Sequence, residues 1–411
     1  MFTLIFAALL MHVPTWIYAG FDGYNSDWPA PTLAHYATFA EFSEYDLPRA
    51  QAYKTAGGLH AVVYIDPSLV PYCSPPFSPP AGNCRGPFGD QHPEEDAWFH
   101  QADGERVHRA DSYTGEYQEA LNPASARTQH IVHARTERIA AQAPIDLFFA
   151  DDSGSSLTGG DGTSVSGIFY GFEQAGIEIT SDAAWMRAEG ELLATLARPA
   201  ILNGGDITTW LPSYGGAFLL ASNVAGASRE GCFSNDASGP MSTAYNHWQL
   251  TANALLATTA LQRYAVCMEV GTPTPSLRIY DFASWLLTYT PRWSVLAPIW
   301  TTSNHHNVYP EILVVPEQPL STPTDGIDQL EENDVYVRRF ATCKSNGIPI
   351  GSCAIVVNPN QFSATIPAEL THYRYALHLD NRTIDQNPSV SWNVWNPHDA
   401  LPPISAIILS T

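Results

Sequence analysis

The sequence predicts a (β/α)8 barrel followed by an all-β antiparallel sandwich, and three observations predict it. Eight short apolar runs alternate with helical stretches over roughly the first 300 residues, the rhythm of parallel strands joined by crossover helices. Beyond about residue 305 helical periodicity gives way to short alternating runs, with turn residues about every ten positions. The fourth apolar run, Asp146–Asp151, drives into two carboxylates, Asp151 and Asp152, where a barrel strand reaches its catalytic face.

The expected barrel strands are Trp16–Asp22, Ala37–Ser43, His60–Asp66, Asp146–Asp151, Ala200–Asn203, Phe218–Ser222 continuing towards Glu230, Tyr264–Glu269 and Ala297–Thr302. Each is a short run bounded by polar or turn residues, too short for a helix. Helices are expected over Pro48–Ala56, Pro123–Ala143, Asp182–Ala197, Met241–Arg263 and Ser276–Tyr289. Asn122-Pro123 is a helix-start signal, and Asp182 is a capping residue. The tail strands are expected at Asp334–Thr342, Cys353–Asn358, Phe362–Ile366, Tyr373–Leu379, Val390–Val394 and Ser405–Leu409.

These elements divide the chain into a barrel over 14–315, a linker rich in Pro, Thr, Asp and Glu over 316–333, and a sandwich over 334–411. Residues 1–13 read as a signal peptide or as the lead-in to the first strand, because FTLIFAALL is an apolar core without a basic flank. Some fifty residues separate the third strand from the helix at Pro123, far more than the two to six of an ordinary connection. This insertion carries Asp103-Gly104, a hairpin turn signal, and on a barrel's catalytic face it would wall a cleft.

Composition narrows the function. The 411 residues hold 41 acidic and 19 basic side chains, a net charge of −22 that repels phosphate backbones and disfavours a nucleic-acid partner. Neither lysine, Lys54 or Lys344, lies in a basic run suited to an anionic membrane surface. No apolar stretch is long enough for a membrane span. The 11 Trp and 19 Tyr suit sugar faces or flat apolar ligands, with Trp16, Trp28, Tyr64, Trp98 and Trp300 the candidates for stacking.

Six cysteines contain no CxxC and no zinc spacing, so no metal is expected. Cys73 with Cys84 and Cys343 with Cys353 bracket short Pro- or Gly-containing loops, leaving Cys232 and Cys267. Cross-links there imply an oxidising compartment and a secreted or periplasmic protein, with which the sequon Asn381-Arg382-Thr383 is compatible; the other reading is six free buried thiols. The motifs GxGxxG, GxSxG, HExxH and the P-loop are all missing, and no cofactor is called for.

Glycoside cleavage needs two carboxylates, about 5–5.5 Å apart for retention or about 6.5–9.5 Å for inversion. Adjacent strand residues face opposite ways, so only one of Asp151 and Asp152 can look into the barrel mouth; the other reading has both capping the glycine-rich turn that follows. Glu230, just beyond the sixth run, has the reach of a proton donor, although Arg229 beside it could make it an ion-pair partner instead. Glu269 at the end of the seventh run is its rival. Asp22 and Asp66 are placed for substrate hydroxyls, and Tyr64, Asp152, Asn203, Glu269 and Trp300 complete the expected substrate contacts. A barrel that binds glycans without cutting them is the alternative, since it keeps the aromatics and has no need of both carboxylates.

The run HAVVYIDPS, the Asp-Gly hairpin, EALNPASARTQHIVHARTERIA and PIDLFFADDSG together resemble TIM-barrel glycoside hydrolases of the alpha-galactosidase-like and endo-alpha-1,4-polygalactosaminidase-like kind. AILNGG, GASREGC and Val308–Glu311 fit the same pattern. The resemblance implies a barrel with a C-terminal β-sandwich acting on a carbohydrate substrate, Asp151 taking the nucleophile position and Glu230 the acid/base position. Leu147 and Ala150 stand where the family has glycine and leucine, which leaves the register of Asp151 against Asp152 open.

Overall fold

A computed structural model of the chain describes residues 12–19, 27–67, 69–71, 95–100, 104, 106, 108–110, 117–151, 153, 182–203, 223–233, 241–300 and 307–411. In chain order its barrel portion holds β1 (Trp16–Tyr18), α1 (Ala30–Tyr36), β2 (Phe39–Phe42), α2 (Leu47–Thr55), β3 (His60–Ile65), β4 (Leu69–Pro71), β5 (His108–Ala110) and β6 (Tyr117–Ala120). It continues with α3 (Ala126–Gln142), β7 (Leu147–Asp151), α4 (Asp182–Ala194), β8 (Ala200–Asn203), β9 (Val224–Glu230), α5 (Met241–Ala260), β10 (Tyr264–Glu269), α6 (Pro275–Thr288) and β11 (Ser294–Pro298). Eight of these strands form one parallel sheet in the order β1-β2-β3-β7-β8-β9-β10-β11, with helices between them. A parallel bridge from Thr15 to Leu296, with Leu296 N donating to Pro14 O at 2.9 Å, joins the first strand to the last. The expected (β/α)8 barrel is the fold.

By internal contacts the described residues divide into two units, one within 41–56 and 60–228, the other within 1–40, 57–59 and 229–411. In the first unit, β3, β7 and β8 are apolar on both faces, as parallel strands under helices must be. Register sets Tyr64 beside Phe149, and Asp151 beside Asn203. Below the sheet, Asp146 Oδ2 accepts from Lys54 Nζ at 2.9 Å and from Ala61 N at 2.8 Å, which ties the entry of β7 to that of β3. Helix α3 begins at Ala126 rather than at Pro123, because the Ser125 hydroxyl accepts from Arg127 N and Thr128 N.

The insertion forms a small antiparallel sheet in the order β4-β6-β5. A bridge between His100 and Arg106 closes the hairpin at Gly104, whose φ of +87° is the left-handed conformation the Asp-Gly signal asks for. Glu95 accepts from both Arg106 and His100, and these bonds, the first above all, hold its carboxyl down at about 2. Arg106 lies over the Trp98 ring, 4.4 Å from its centroid. Cys73, Cys84 and Asp103 lie outside the described residues.

The second unit contains the all-β tail: β12 (Val314–Pro319), β13 (Glu331–Glu332), β14 (Val335–Ser345), β15 (Ile348–Asn358), β16 (Tyr375–His378), β17 (Ser391–Val394) and β18 (Ser405–Ser410). They make a seven-stranded antiparallel sheet in the order β12-β14-β15-β18-β16-β17, with β13 on β14. The stretch 316–333, expected as a linker, thus carries strand residues at both ends and a 3-10 turn at Ile327–Leu330. The expected strand Phe362–Ile366 is reduced to one bridge, Ala364 to Leu401, as the chain runs on through Pro367 into a 3-10 turn.

Strand alternation divides the sheet's side chains. Val335, Val337, Ala354, Val356 and Leu409 pack with Leu370, Tyr373, Trp395 and Leu401 on one face. Helix α6 packs against β14, β15 and β18, and so is buried almost all round, from Tyr280 to Thr288. Arg338, 1% exposed, donates through Nη1 to Leu287 O at 2.8 Å and Tyr289 O at 2.7 Å at the end of that helix. Burial pulls the guanidinium down to about 10. Among the described residues two disulfides are present: Cys343–Cys353, as expected, and Cys232–Cys267, whose members the sequence left unassigned. No described helix is long and apolar enough to cross a membrane.

Candidate active site

Four neighbouring strands of the first unit contribute one polar group. Tyr64 donates its hydroxyl to Asp151 Oδ2. Asn203 Nδ2 donates to Asp151 Oδ1 at 2.9 Å, and Ser228 Oγ donates to Asn203 Oδ1 at 3.0 Å. Sheet register explains the convergence. Asp151 pairs with Asn203, while Tyr64 pairs with Phe149, two residues before Asp151 and so on the same face. Leu202 pairs with Ala227, which carries Asn203 and Ser228 to the same side.

Tyr64, Asp151 and Asn203 are half-buried at the strand ends, while Ser228 is buried. Both carboxylate oxygens of Asp151 therefore have a donor from the protein, which fixes its plane and leaves lone pairs for a ligand. Ser153 N donates to Asn203 O at 3.2 Å and fixes the exit of β7. Asp66 follows β3, half-buried; Arg135 Nη1 donates to its carbonyl at 3.0 Å while Nε and Nη2 grip Glu44 at 3.1 and 2.9 Å.

Glu230 is the last residue of β9 and is exposed, in keeping with a carboxylate that leaves the core at a strand end. Alternation along β9 gives it the parity of Ser228. Gly231, at φ +73°, then turns the chain into the buried Cys232 and Phe233.

A different environment surrounds Glu269 in the second unit. It is 2% exposed, and its carboxyl is raised well above the ordinary glutamate value. Burial is the main cause, followed by the charges of Asp281 and Glu311. Arg278 opposes the shift, and so does the Trp300 indole N–H, which falls short of hydrogen-bond geometry. Glu311 is raised by burial too, against the pull of Arg278, whose Nη1 stands 3.5 Å from Glu311 Oε2. Arg278 also lies over the Tyr309 ring at 3.9 Å and donates to Asp380 O at 2.6 Å. The structure thus groups Glu269 with Trp300, both buried.

Of the other stacking candidates, Trp16 packs on Phe39 in the core and Trp28 donates to Asp385 Oδ2 at 3.0 Å. Asp22 and Asp152 lie outside the described residues. Sequence reasoning did not single out Ser228, Arg278 or Asp281. Ser228 had a signal, since it stands two positions before Glu230 and so shares its face. Among the described residues no cluster of His, Cys, Asp and Glu could hold a metal ion.

Solved structures align with this chain at low identity. Ega3 of Aspergillus fumigatus, in complex with galactosamine, aligns at 13% identity over 64% of this chain and 78% of its own, with a TM-score of 0.37. The glycoside hydrolase domain of PelA from Pseudomonas aeruginosa aligns at 14% identity over 70% and 94%, with a TM-score of 0.38. An alpha-amylase from Geobacillus thermoleovorans, in complex with acarbose, aligns at 9% identity over 97% and 98%, with a TM-score of 0.44. The fold rests on the sheet order above. No family model matches the sequence, and no curated protein matches it.

Proposed function

We propose that this chain is a glycoside hydrolase that cleaves O-glycosidic bonds of an oligo- or polysaccharide by a retaining mechanism, outside the reducing cytoplasm. The observation that carries the reading is the setting of Asp151. It is the only charged residue of an otherwise apolar strand, it stands at that strand's C-terminal end, and Tyr64 and Asn203 hold it from the two flanking strands. A carboxylate held in a fixed plane suits attack on an anomeric carbon.

In this reading Asp151 forms the glycosyl ester as Glu230 gives its proton to the leaving oxygen. The resulting Glu230 carboxylate then takes a proton from water, whose oxygen displaces Asp151 from the sugar. The exposure of Glu230 supports it over the buried Glu269 as the group that meets substrate and water. Tyr64 and Asn203 serve the nucleophile, and Asp22, Asp66 and Asp152 are left for sugar hydroxyls. The two disulfides support an oxidising compartment.

The test is a screen of 4-nitrophenyl glycosides and polysaccharides with the wild type, Asp151→Asn and Glu230→Gln. Turnover by the wild type and a loss of about a thousandfold or more in each variant, with folding intact, is the expected result. Full activity in either variant would remove it from the catalytic pair. Glycan binding with no turnover of any substrate would favour the binding-only barrel.

A further inference from the structure

The Cys232–Cys267 disulfide stands two residues from each of the two carboxylates that compete for the acid/base role. Glu230-Gly231-Cys232 leaves β9, and Cys267-Met268-Glu269 ends β10. The cross-link spans 35 residues with its Cα atoms 5.3 Å apart. Both sulfur-bearing residues are buried, Cys232 at 1% and Cys267 at 0% exposure, so the link lies inside the protein.

Glu230 needs such an anchor. As the last residue of its strand it is exposed, and the chain turns immediately at Gly231, where φ of +73° is a conformation that a side chain would strain. A turn of this kind is normally a point of looseness. Here the next two residues are fixed: Cys232 is bonded to a core strand, and Phe233, fully buried, packs against Trp248 with ring centroids 5.9 Å apart. Pairing with β8 holds the backbone as far as Ala227, and the cross-link with Phe233 holds it after Glu230.

We propose that the Cys232–Cys267 disulfide is the positioning device for Glu230, restricting the backbone from which the acid/base carboxyl reaches the glycosidic oxygen. The proposal rests on the reading of Glu230 given above. It differs from a general stabilising role in predicting where the damage falls when the link is removed. General acid catalysis is geometric first, and a displacement of about 1 Å can cost about a hundredfold in rate.

The experiment removes the link in the full chain by Cys232→Ser with Cys267→Ser, and compares Cys343→Ser with Cys353→Ser, the tail cross-link, as control. Should the serine pair fail to fold, Cys232→Ala with Cys267→Val refills the space with apolar groups. Hydrogen exchange gives the first readout and needs no substrate. Amides of residues 229–233 should exchange at least about tenfold faster without the link, while Tyr264–Glu269 keeps its protection and the control changes neither. Unchanged exchange at 229–233 overturns the proposal.

The second readout uses the 4-nitrophenyl glycoside that the wild type hydrolyses and its 2,4-dinitrophenyl counterpart. A displaced acid should lower kcat/KM, which reports the first chemical step alone, by about a hundredfold on the first substrate and by less than about threefold on the second, whose leaving group needs no proton. By contrast, kcat also carries the water step that Glu230 serves for both substrates. Equal losses of kcat/KM on both would show a role not specific to Glu230 as acid and overturn the proposal. Retained turnover in Glu230→Gln fails the functional reading instead, so the two failures stay distinct.

Discussion

Asn203 donates its side-chain amide to Asp151 Oδ1 at 2.9 Å from the next strand of the sheet, at the position that register sets directly beside it. Its orientation is not arbitrary. An ionised carboxylate only accepts, so the amide nitrogen must face Asp151, which turns Oδ1 to the Ser228 hydroxyl at 3.0 Å, a donor it shares with Leu202 O at 3.1 Å. Asn203→Ala should therefore lower kcat/KM by about ten- to a hundredfold with circular dichroism unchanged. Ser228→Ala should cost less, and Ser228→Thr should restore most of the loss. Wild-type rates in Asn203→Ala would mean that Asp151 needs no donor on Oδ1.

Arg135 makes three bonds that only a guanidinium can make together: Nε and Nη2 to the two oxygens of Glu44, and Nη1 to the Asp66 carbonyl. The residue is 5% exposed, so a lysine there would leave acceptors without their donors. Arg135→Lys is expected to lose about 3 kcal/mol in urea unfolding with an unchanged slope, most of the cost of breaking a buried pair. A loss below about 1 kcal/mol would show that water replaces the missing bonds.

Adjacent arginines of β14 offer an internal contrast. Arg338 is buried on the carbonyls that end α6, whereas Arg339 pairs with Glu332 with both side chains about a third exposed. Arg338→Met should cost about 3 kcal/mol, because several buried carbonyls lose their donor, and Arg339→Met no more than about 1 kcal/mol. Equal melting shifts in the two variants would contradict this ranking.

The barrel was legible because most of its strands are short apolar runs, and strands covered on both faces carry no competing signal. Asp151 stood out for the same reason, as a charge at the end of LFFA. The run expected at Phe218–Ser222 lies outside the described residues and its continuation is β9, VAGASRE, while the eighth strand is Ser294–Pro298 rather than Ala297–Thr302. The nearby cysteine pair, Cys343 with Cys353, was legible from a separation of 10, whereas Cys232 and Cys267 meet only because β9 and β10 are neighbours in the barrel sheet. Helix α3 starts three residues later than its Asn-Pro signal, since two start signals lie close together and the Ser125 cap is the one used. The grip of Arg135 on Glu44 and Asp66 spans 91 and 69 residues, and no local pattern announces it. The same holds for the acidic group around Arg278, whose members come from a strand, a helix and a 3-10 turn. Although Glu269 stood out at its strand end and Glu311 within Val308–Glu311, nothing local in either pointed to the other or to Arg278 and Asp281.

That acidic group gives the second unit a pH dependence whose sign can be worked out. Burial, with neighbouring carboxylates in the case of Glu269, raises the folded values of Glu269 and Glu311 above the ordinary 4.5. Below that ordinary value both folded and unfolded chains hold the proton, and the stability is fully present. As pH rises through the window between the two values, the unfolded chain ionises while the folded one does not. Stability then falls by up to about 1.4 kcal/mol per pH unit for each group, until the folded group ionises as well. Glu269→Gln holds the neutral shape without the titration. Its melting temperature should accordingly fall less than that of the wild type between pH 5 and pH 8, with the two proteins closest at the acid end. Parallel melting curves across that range would mean that Glu269 ionises in the folded protein as readily as in the unfolded chain, with Arg278 then holding a charged partner.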